Sequence, residues 1–390
     1  MLDTQDIATR KGNLGLVLPG GGARGAYQAG ALTALADIAR SADNPFPVIM
    51  GASVGAINAA ALAAGAADFK RAVMRLAELW SSLTVEQVYR TDAISVMATG
   101  AQWVASMTPL SSLGVPTPRF ILDSTPLRQL VRDNIDFTGI AKAIEKRALR
   151  AVGITASSYD RARAVTFYQG AADLVDWHRS RREGITTKLS ADHVLASTAL
   201  PVIFEAQRIG NEYYGDGSLR LTAPLSPAIH CGADRILVIS VRDKPAADNP
   251  PMHASYPGLG MLGGYLLDMV FMDNLDADIE RALRIDRTLS LLPPDRRALT
   301  KLRNVRILAL QPSRDVRDIA REHAHEMPWS IRILLGRLGV WGRDWRLPSY
   351  LLFTPGYCRA LIDLGYRDTM ARKHEIETFL DPSAVLLSPS

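Results

Sequence analysis

Three short strings hold residue types that could carry out acyl transfer: Gly20-Gly21-Gly22-Ala23-Arg24-Gly25, Gly51-Ala52-Ser53-Val54-Gly55 and Asp216-Gly217. Ester hydrolysis by a serine needs a nucleophilic oxygen, a base to take its proton, and N–H donors for the oxyanion formed on the attacked carbonyl. Ser53 offers the first and Asp216 the second. Consecutive glycines offer the third, because no side chain shields their successive N–H groups. Each string also has an ordinary reading, as a small-residue helix start, an Asp-Gly hairpin turn or a strand-to-helix turn. Their presence together, in this order, favours the chemistry.

A GxSxG string between a strand and a helix puts its serine on a sharp, strained turn, with the hydroxyl lifted from the backbone at a helix N-terminus. Gly51 and Gly55 on either side of Ser53 leave room for the neighbouring strand and helix. The glycine turn also fits GxGxxG, which cradles a dinucleotide pyrophosphate, but that reading needs an acidic residue at the end of the next strand. Met50-Gly51-Ala52-Ser53 fills that position, and no Gly-Lys-Ser/Thr follows the turn to make a Walker loop. Arg24 sets a positive charge beside the turn, where it steadies the loop, pairs with a lipid phosphate or stays solvated.

For the base, His323, His325 and His374 follow the Ser–acid–His chain order of α/β-hydrolases, and His178, His193 and His230 are available in other orders. None stands in a strand-end loop flanked by glycines. Asp216 does, in Tyr213-Tyr214-Gly215-Asp216-Gly217-Ser218 after the alternating run Ile209–Tyr214.

On these residues the chain resembles the patatin-like phospholipase family, whose Ser–Asp dyad works without histidine. The glycine turn, the serine elbow and Asp216-Gly217 match, and Ala196-Ser197-Thr198-Ala199-Leu200-Pro201 resembles the family's Ala-Ser-x-Ala-x-Pro segment. The resemblance runs from Leu14 to Val241 and extends only loosely over the C-terminal third. It implies Ser53 as nucleophile, Asp216 as base, and Gly20, Gly21, Gly22, Ala23, Arg24 and Gly25 as the oxyanion hole. Gly51 and Gly55 complete the elbow, and no metal or cofactor is called for. Ser218 departs from the Gly or Ala that often follows Asp-Gly in the family, and as a small residue it is expected to be tolerated.

The elements that must position these strings are legible as alternating apolar runs and helical periods. Leu14–Leu18, Pro47–Met50, Leu149–Ala156, Ala164–Tyr168, Arg235–Val241 and Asn304–Leu310 read as strands. Helical spacing starts at Gly25, and Val54–Ala64, Phe69–Tyr89, Ser124–Ile135 and Leu189–Leu200 read as further helices. Alternation of this kind predicts a patatin-like three-layer α/β/α sandwich with a largely parallel central sheet. Residues 12–312 are expected to form the catalytic domain, and 313–390 a helical C-terminal extension packed on the core.

The 390 residues are 47% hydrophobic and 22% charged, as in a globular protein able to bury a full core. A net charge of +5 with a pI near 9.2 is compatible with anionic membranes, and equally with compositional bias. Cys231 and Cys358 are too few and too far apart for a disulfide framework or a zinc site. No secretory signal or membrane span is visible, so a cytoplasmic protein is expected, with peripheral membrane contact left open. No nucleic-acid module or long basic patch is present, and the oligomeric state is left open.

The expected substrate is a phospholipid or other fatty-acyl ester, cleaved in the manner of a phospholipase A or lysophospholipase. An acyl groove is sought in the uncharged stretch holding Ile94, Val96, Met97, Trp103, Val104, Met107 and Leu110, or in Leu259–Met272. Pro328–Phe353 interleaves Trp329, Trp341 and Trp345 with arginines, a mixture that suits either a membrane interface or a helix docked on the core. A general carboxylesterase or neutral-glyceride lipase is the first alternative. A catalytically silent lipid-binding or regulatory protein is the second.

Overall fold

The computed structural model describes residues 13–39, 43–92, 120–242, 259–269, 274–300, 302–337, 339, 341 and 345–381. Its strands are β1 Asn13–Leu18, β2 Val48–Ala52, β3 Ala151–Ser158, β4 Arg163–Gly170 and β5 Trp177–Arg179. They continue as β6 Arg182–Thr186, β7 Gln207–Ile209, β8 Glu212–Gly215, β9 Ala233–Ile239 and β10 Arg306–Leu310. Among the described residues these ten form one sheet in the order β10-β9-β1-β2-β3-β4-β6-β5, with the β7–β8 hairpin attached to β3. From β10 to β3 every neighbouring pair is parallel. At the other edge β4 runs antiparallel to β3, and β5 antiparallel to β6.

Helices cover both faces. The first half of the chain forms α1 Ala26–Ala39, α2 Val54–Ala64, α3 Phe69–Ser82, α4 Thr125–Asn134, α5 Thr138–Glu145 and α6 Ala191–Thr198. The second forms α7 Ser226–His230, α8 Leu259–Asp268, α9 Asn274–Ser290 and α10 Pro294–Leu299. The C-terminal helices are α11 Val316–Glu322, α12 Trp329–Arg337, α13 Arg346–Leu351, α14 Pro355–Ala371 and α15 Lys373–Leu380.

The strand period of two explains the layers. Leu14, Leu16 and Leu18 of β1 and Ile49 of β2 pack into one core with α1, α2, α3 and α14. Val17, Val48 and Met50 face the other way, onto Leu225, Ala228 and Leu275 around α7 and α9. Strands buried on both faces read as unbroken apolar runs, which is why they were recognisable without alternation.

One expectation shifts. The helix expected over Phe69–Tyr89 stops at Ser82, because Leu83 is extended and Thr84 and Gln87 form a capping box that starts a separate 3-10 turn, Val85–Gln87. The C-terminal helices pack on the rest of the fold, α14 lying along α1 and α13 against the glycine turn.

Candidate functional site

The site is assembled at the carboxyl ends of three adjacent parallel strands, where open α/β sheets place their ligands. β1 runs into the glycine turn, β2 into Ser53, and β3 holds β8 through Ser157↔Gly215 and Ser158↔Tyr214, which delivers Asp216 to the same edge. The hydrogen bond from the Asp216 amide to the Ala199 carbonyl, 2.8 Å, ties the aspartate to the end of α6.

Ser53 stands at the N-cap of α2 with φ 53° and ψ −129°, a conformation that costs a non-glycine residue about 1–3 kcal/mol. The surroundings hold it there. Its amide donates to Ser197 Oγ at 2.9 Å, and its carbonyl accepts from Ala56 at 2.9 Å. A Cβ on Gly55 would stand 1.9 Å from the Leu18 carbonyl oxygen, so only glycine lets β1 pass so close beneath the turn. Gly51 is packed on the Gly55 carbonyl in the same way.

Asp216 is fully buried. One carboxylate oxygen, Oδ1, accepts the Ser218 amide at 2.9 Å, while Oδ2 is buried with no hydrogen-bond partner. Burial pushes the carboxyl from its ordinary 3.8 to about 7, with the hydroxyls of Ser53 and Ser218 and the Ser218 amide pulling it partly back. Ser218 therefore sits against the carboxylate as a polar neighbour, in keeping with a small residue being accommodated there.

The glycine turn is a single 3-10 turn, Gly22–Gly25, leading straight into α1. Gly22 has φ +56°, and a Cβ on it would lie 2.3 Å from the Tyr350 carbonyl oxygen of α13. The N–H groups of Gly22 and Ala23 open the turn and have no intrahelical acceptor, whereas the Arg24 amide donates back to Gly21 at 3.2 Å. Gly20 lines a separate small cavity together with Ala52 and Ser218.

The Arg24 side chain turns inward. It is wholly buried, donating from Nε and Nη2 to Ser349 Oγ at 3.0 and 2.7 Å, with its guanidinium carbon 4.0 Å from the Tyr350 ring centre. Asp268 of α8 lies 3.9 Å away and also takes Arg346 and the Tyr350 hydroxyl. Of the three sequence readings of Arg24, the geometry supports the steadied loop.

Gly22, Ser53 and Asp216 open onto one cleft with a cavity volume of about 50 Å³. Its other walls are apolar apart from Thr198 and the ring of Tyr350, and they come from Val54, Ile57, Val88, Leu127, Leu200, Phe204, Leu351 and Phe353. None of the candidate histidines lines it. His193 caps its own helix through Ser190 instead, Nδ1 lying 2.9 Å from the hydroxyl.

Of the two segments expected to form the acyl groove, only part of the second, α8, can be placed against these walls. The 94–110 stretch lies outside the described residues. α8 packs on α13 and turns Leu262, Tyr265 and Leu266 to solvent. The Pro328–Phe353 stretch divides: Trp329 is exposed on α12, whereas Tyr350, Leu351 and Phe353 are buried in the site.

Sequence reasoning assigned no role to Ser197, although the segment containing it was matched. It also passed over a buried polar chain under the site. Trp80 Nε1 donates to Asn58 at 2.8 Å, Asn58 donates to Gln28 at 2.8 Å, and Gln28 donates to the carbonyls of Pro19 and Ile239. The signal was a lone amide in each of two alanine-rich helices, since buried amides must be bonded.

Comparison with known proteins bears on the same region. The family model described as Patatin-like phospholipase matches residues 16–229, more than half of the chain. No curated protein matches the sequence. Among solved structures, VipD from Legionella pneumophila is similar over 94% of this chain and 67% of its own, with 13% identity and a TM-score of 0.39. No helix among the described residues is long and apolar enough to cross a membrane, and no cluster of metal-binding side chains occurs among them.

Proposed function

Because the chain belongs to the patatin-like phospholipase family, we propose that it is a lipid acyl hydrolase working through Ser53 and Asp216. One observation carries this reading. A serine held on a strained strand-to-helix turn and a buried carboxylate with one unpartnered oxygen share a single apolar cleft. Family members hydrolyse fatty-acyl esters, and the walls of this cleft suit an acyl chain better than a polar substrate.

In the proposed reaction Asp216 takes the Ser53 proton as the hydroxyl attacks the ester carbonyl. The N–H groups at the start of the Gly22–Gly25 turn face the oxyanion, aided by the positive end of the turn that continues into α1. The alcohol leaves with the proton, and water then attacks the acyl-enzyme with Asp216 again as base. An aspartate near its usual value would be a poor base at neutral pH. Burial brings Asp216 to about 7, where proton transfer and the ionised fraction are both favourable.

A narrower substrate reading also has support. With Arg24 turned into the protein, the cleft walls carry no cation to read a phosphate among the described residues. A neutral glyceride or soluble ester is therefore as good a fit to the cleft itself as a phospholipid.

The test is labelling by a fluorescent fluorophosphonate, together with fatty-acid release from phosphatidylcholine vesicles and from a monoglyceride. Wild type should label and release, and Ser53→Ala and Asp216→Asn should do neither. Undiminished labelling of Ser53→Ala would place the nucleophile elsewhere. A wild type that neither labels nor releases would favour the silent lipid-binding alternative.

A further inference from the structure

Two regions far apart in sequence build the cleft beside Ser53. Leu127 and Phe204 belong to the stretch matched by the family, whereas Leu351 and Phe353 lie well beyond residue 229. The aromatic residues interlock behind the cleft. Phe204 and Phe353 both pack on the buried Tyr89 ring, at centroid distances of 6.2 and 6.4 Å, and Phe353 stacks on Trp80 at 6.3 Å. Tyr89 is pinned in turn, its hydroxyl donating to the Leu351 carbonyl at 2.9 Å. Trp80 is fixed by its bond to Asn58. A close-packed cluster of this kind does not yield to a bulky ligand without loss of its own contacts.

We propose that Phe204 and Phe353 are the specificity-determining residues of an acyl-binding cleft, restricting Ser53 to short acyl chains, so that the C-terminal segment is part of the substrate site. This inference rests on the acyl-hydrolase reading above. Its physical basis is volume. The cavity is about 50 Å³, and two rigid aromatic rings occupy the space a longer chain would need. Every methylene that fails to enter forfeits roughly a fourfold gain in kcat/KM, the equivalent of its burial in an apolar wall. Shrinking either ring to a leucine keeps the wall apolar and opens the cleft.

The experiment compares kcat/KM for p-nitrophenyl butyrate and p-nitrophenyl palmitate in wild type, Phe204→Leu, Phe204→Trp and Phe353→Leu. Trp329→Leu, on the exposed face of α12, is the control. The ratio of the two substrates is the readout, because a partly unfolded preparation lowers both values alike. Wild type should prefer butyrate. Each leucine variant should move the ratio toward palmitate by about tenfold or more, the lower range for altering a hydrophobic pocket. Phe204→Trp should move it the other way, and Trp329→Leu should leave it in place. Preference for palmitate in wild type, or an unchanged ratio in the leucine variants while both esters are still cleaved, overturns the inference and leaves the hydrolase reading standing. Absence of both cleavage and fluorophosphonate labelling in wild type overturns the two together. Running dihexanoyl- and dipalmitoyl-phosphatidylcholine in parallel identifies the source of the chain. The same ranking marks a phospholipid, and ester cleavage without phospholipid release marks a neutral ester, each with the selector intact.

Discussion

The hydroxyl of Ser197 stands 2.9 Å from the amide nitrogen of Ser53 and 2.6 Å from the carbonyl oxygen of Thr155. It has one proton, which goes to Thr155 on β3, leaving a lone pair for the Ser53 N–H. One buried side chain thus ties the strained elbow to the central sheet. It also occupies the Ser53 amide, so in the proposed mechanism the oxyanion draws on other donors, such as those that open the glycine turn.

Replacing Ser197 with alanine should leave the Ser53 N–H buried without an acceptor, at a cost of about 1–3 kcal/mol. The positive-φ conformation of Ser53 would lose its main tether, so the labelling rate should fall by about tenfold or more, with kcat affected more than KM. Thermal unfolding and fluorophosphonate kinetics together check this. Labelling at the wild-type rate would mean that the elbow holds itself.

In the proposed mechanism the pH dependence follows from Asp216, which would have to be ionised to act as base and is raised from 3.8 to about 7. Hydrolysis should therefore fall on the acid side with an apparent pKa near 7, well above the usual carboxylate range. Stability runs in the opposite direction. Between the unfolded and folded values the folded state holds a proton that the unfolded chain has released, so this group's contribution is full below about 4 and is lost as pH rises through about 7. Asp216→Asn lacks that titration. The Tm of the variant minus that of wild type should grow from pH 4 to pH 8. A flat difference would contradict the raised value.

Arg24 is expected to act on structure and not on head-group choice. Arg24→Met removes the fork onto Ser349 and the stacking on Tyr350, stranding buried polar partners at a cost of about 1–3 kcal/mol. Release from phosphatidylcholine and from a monoglyceride should drop by the same factor. A loss confined to the phospholipid would restore the phosphate-pairing role.

Glycine replacements should separate close approach from simple flexibility. Gly55→Ala and Gly22→Ala would drive a Cβ to 1.9 Å from Leu18 and 2.3 Å from Tyr350, so both should yield poorly folded or inactive protein. Gly263→Ala and Gly336→Ala, on α8 and α12 with open space around the new methyl, should gain roughly 0.4–1 kcal/mol. Circular dichroism melts of the four variants test the contrast.

The parts of the site that were legible beforehand are those whose backbone demands particular residue types. Gly22, Gly51 and Gly55 allow close backbone approach, Ser53 terminates a strand, and Asp216 stands between two glycines. The cleft walls seen in the structure were not legible in the sequence. Leu127, Phe204 and Phe353 look like any other core residue in sequence, because apolar packing carries no local signature. Ser197 was quoted within a matched segment without a role, since a hydroxyl that bridges two backbones reads the same as one that caps a helix.

By itself the sequence determined the alternation of buried strands and helices, the turn chemistry at three strand ends, and hence which residues could act. Those are local properties, written in periodicity and in the steric demands of single positions. The tertiary structure alone decided that the three turns share one edge of the sheet, that Arg24 points inward, and that Tyr350, Leu351 and Phe353 wall the cleft over Ser53, roughly three hundred positions earlier. The physical reason is that non-local packing is set by how whole faces of helices and strands fit together. Many apolar residues satisfy a buried position equally well, so their type does not say which neighbour they will meet.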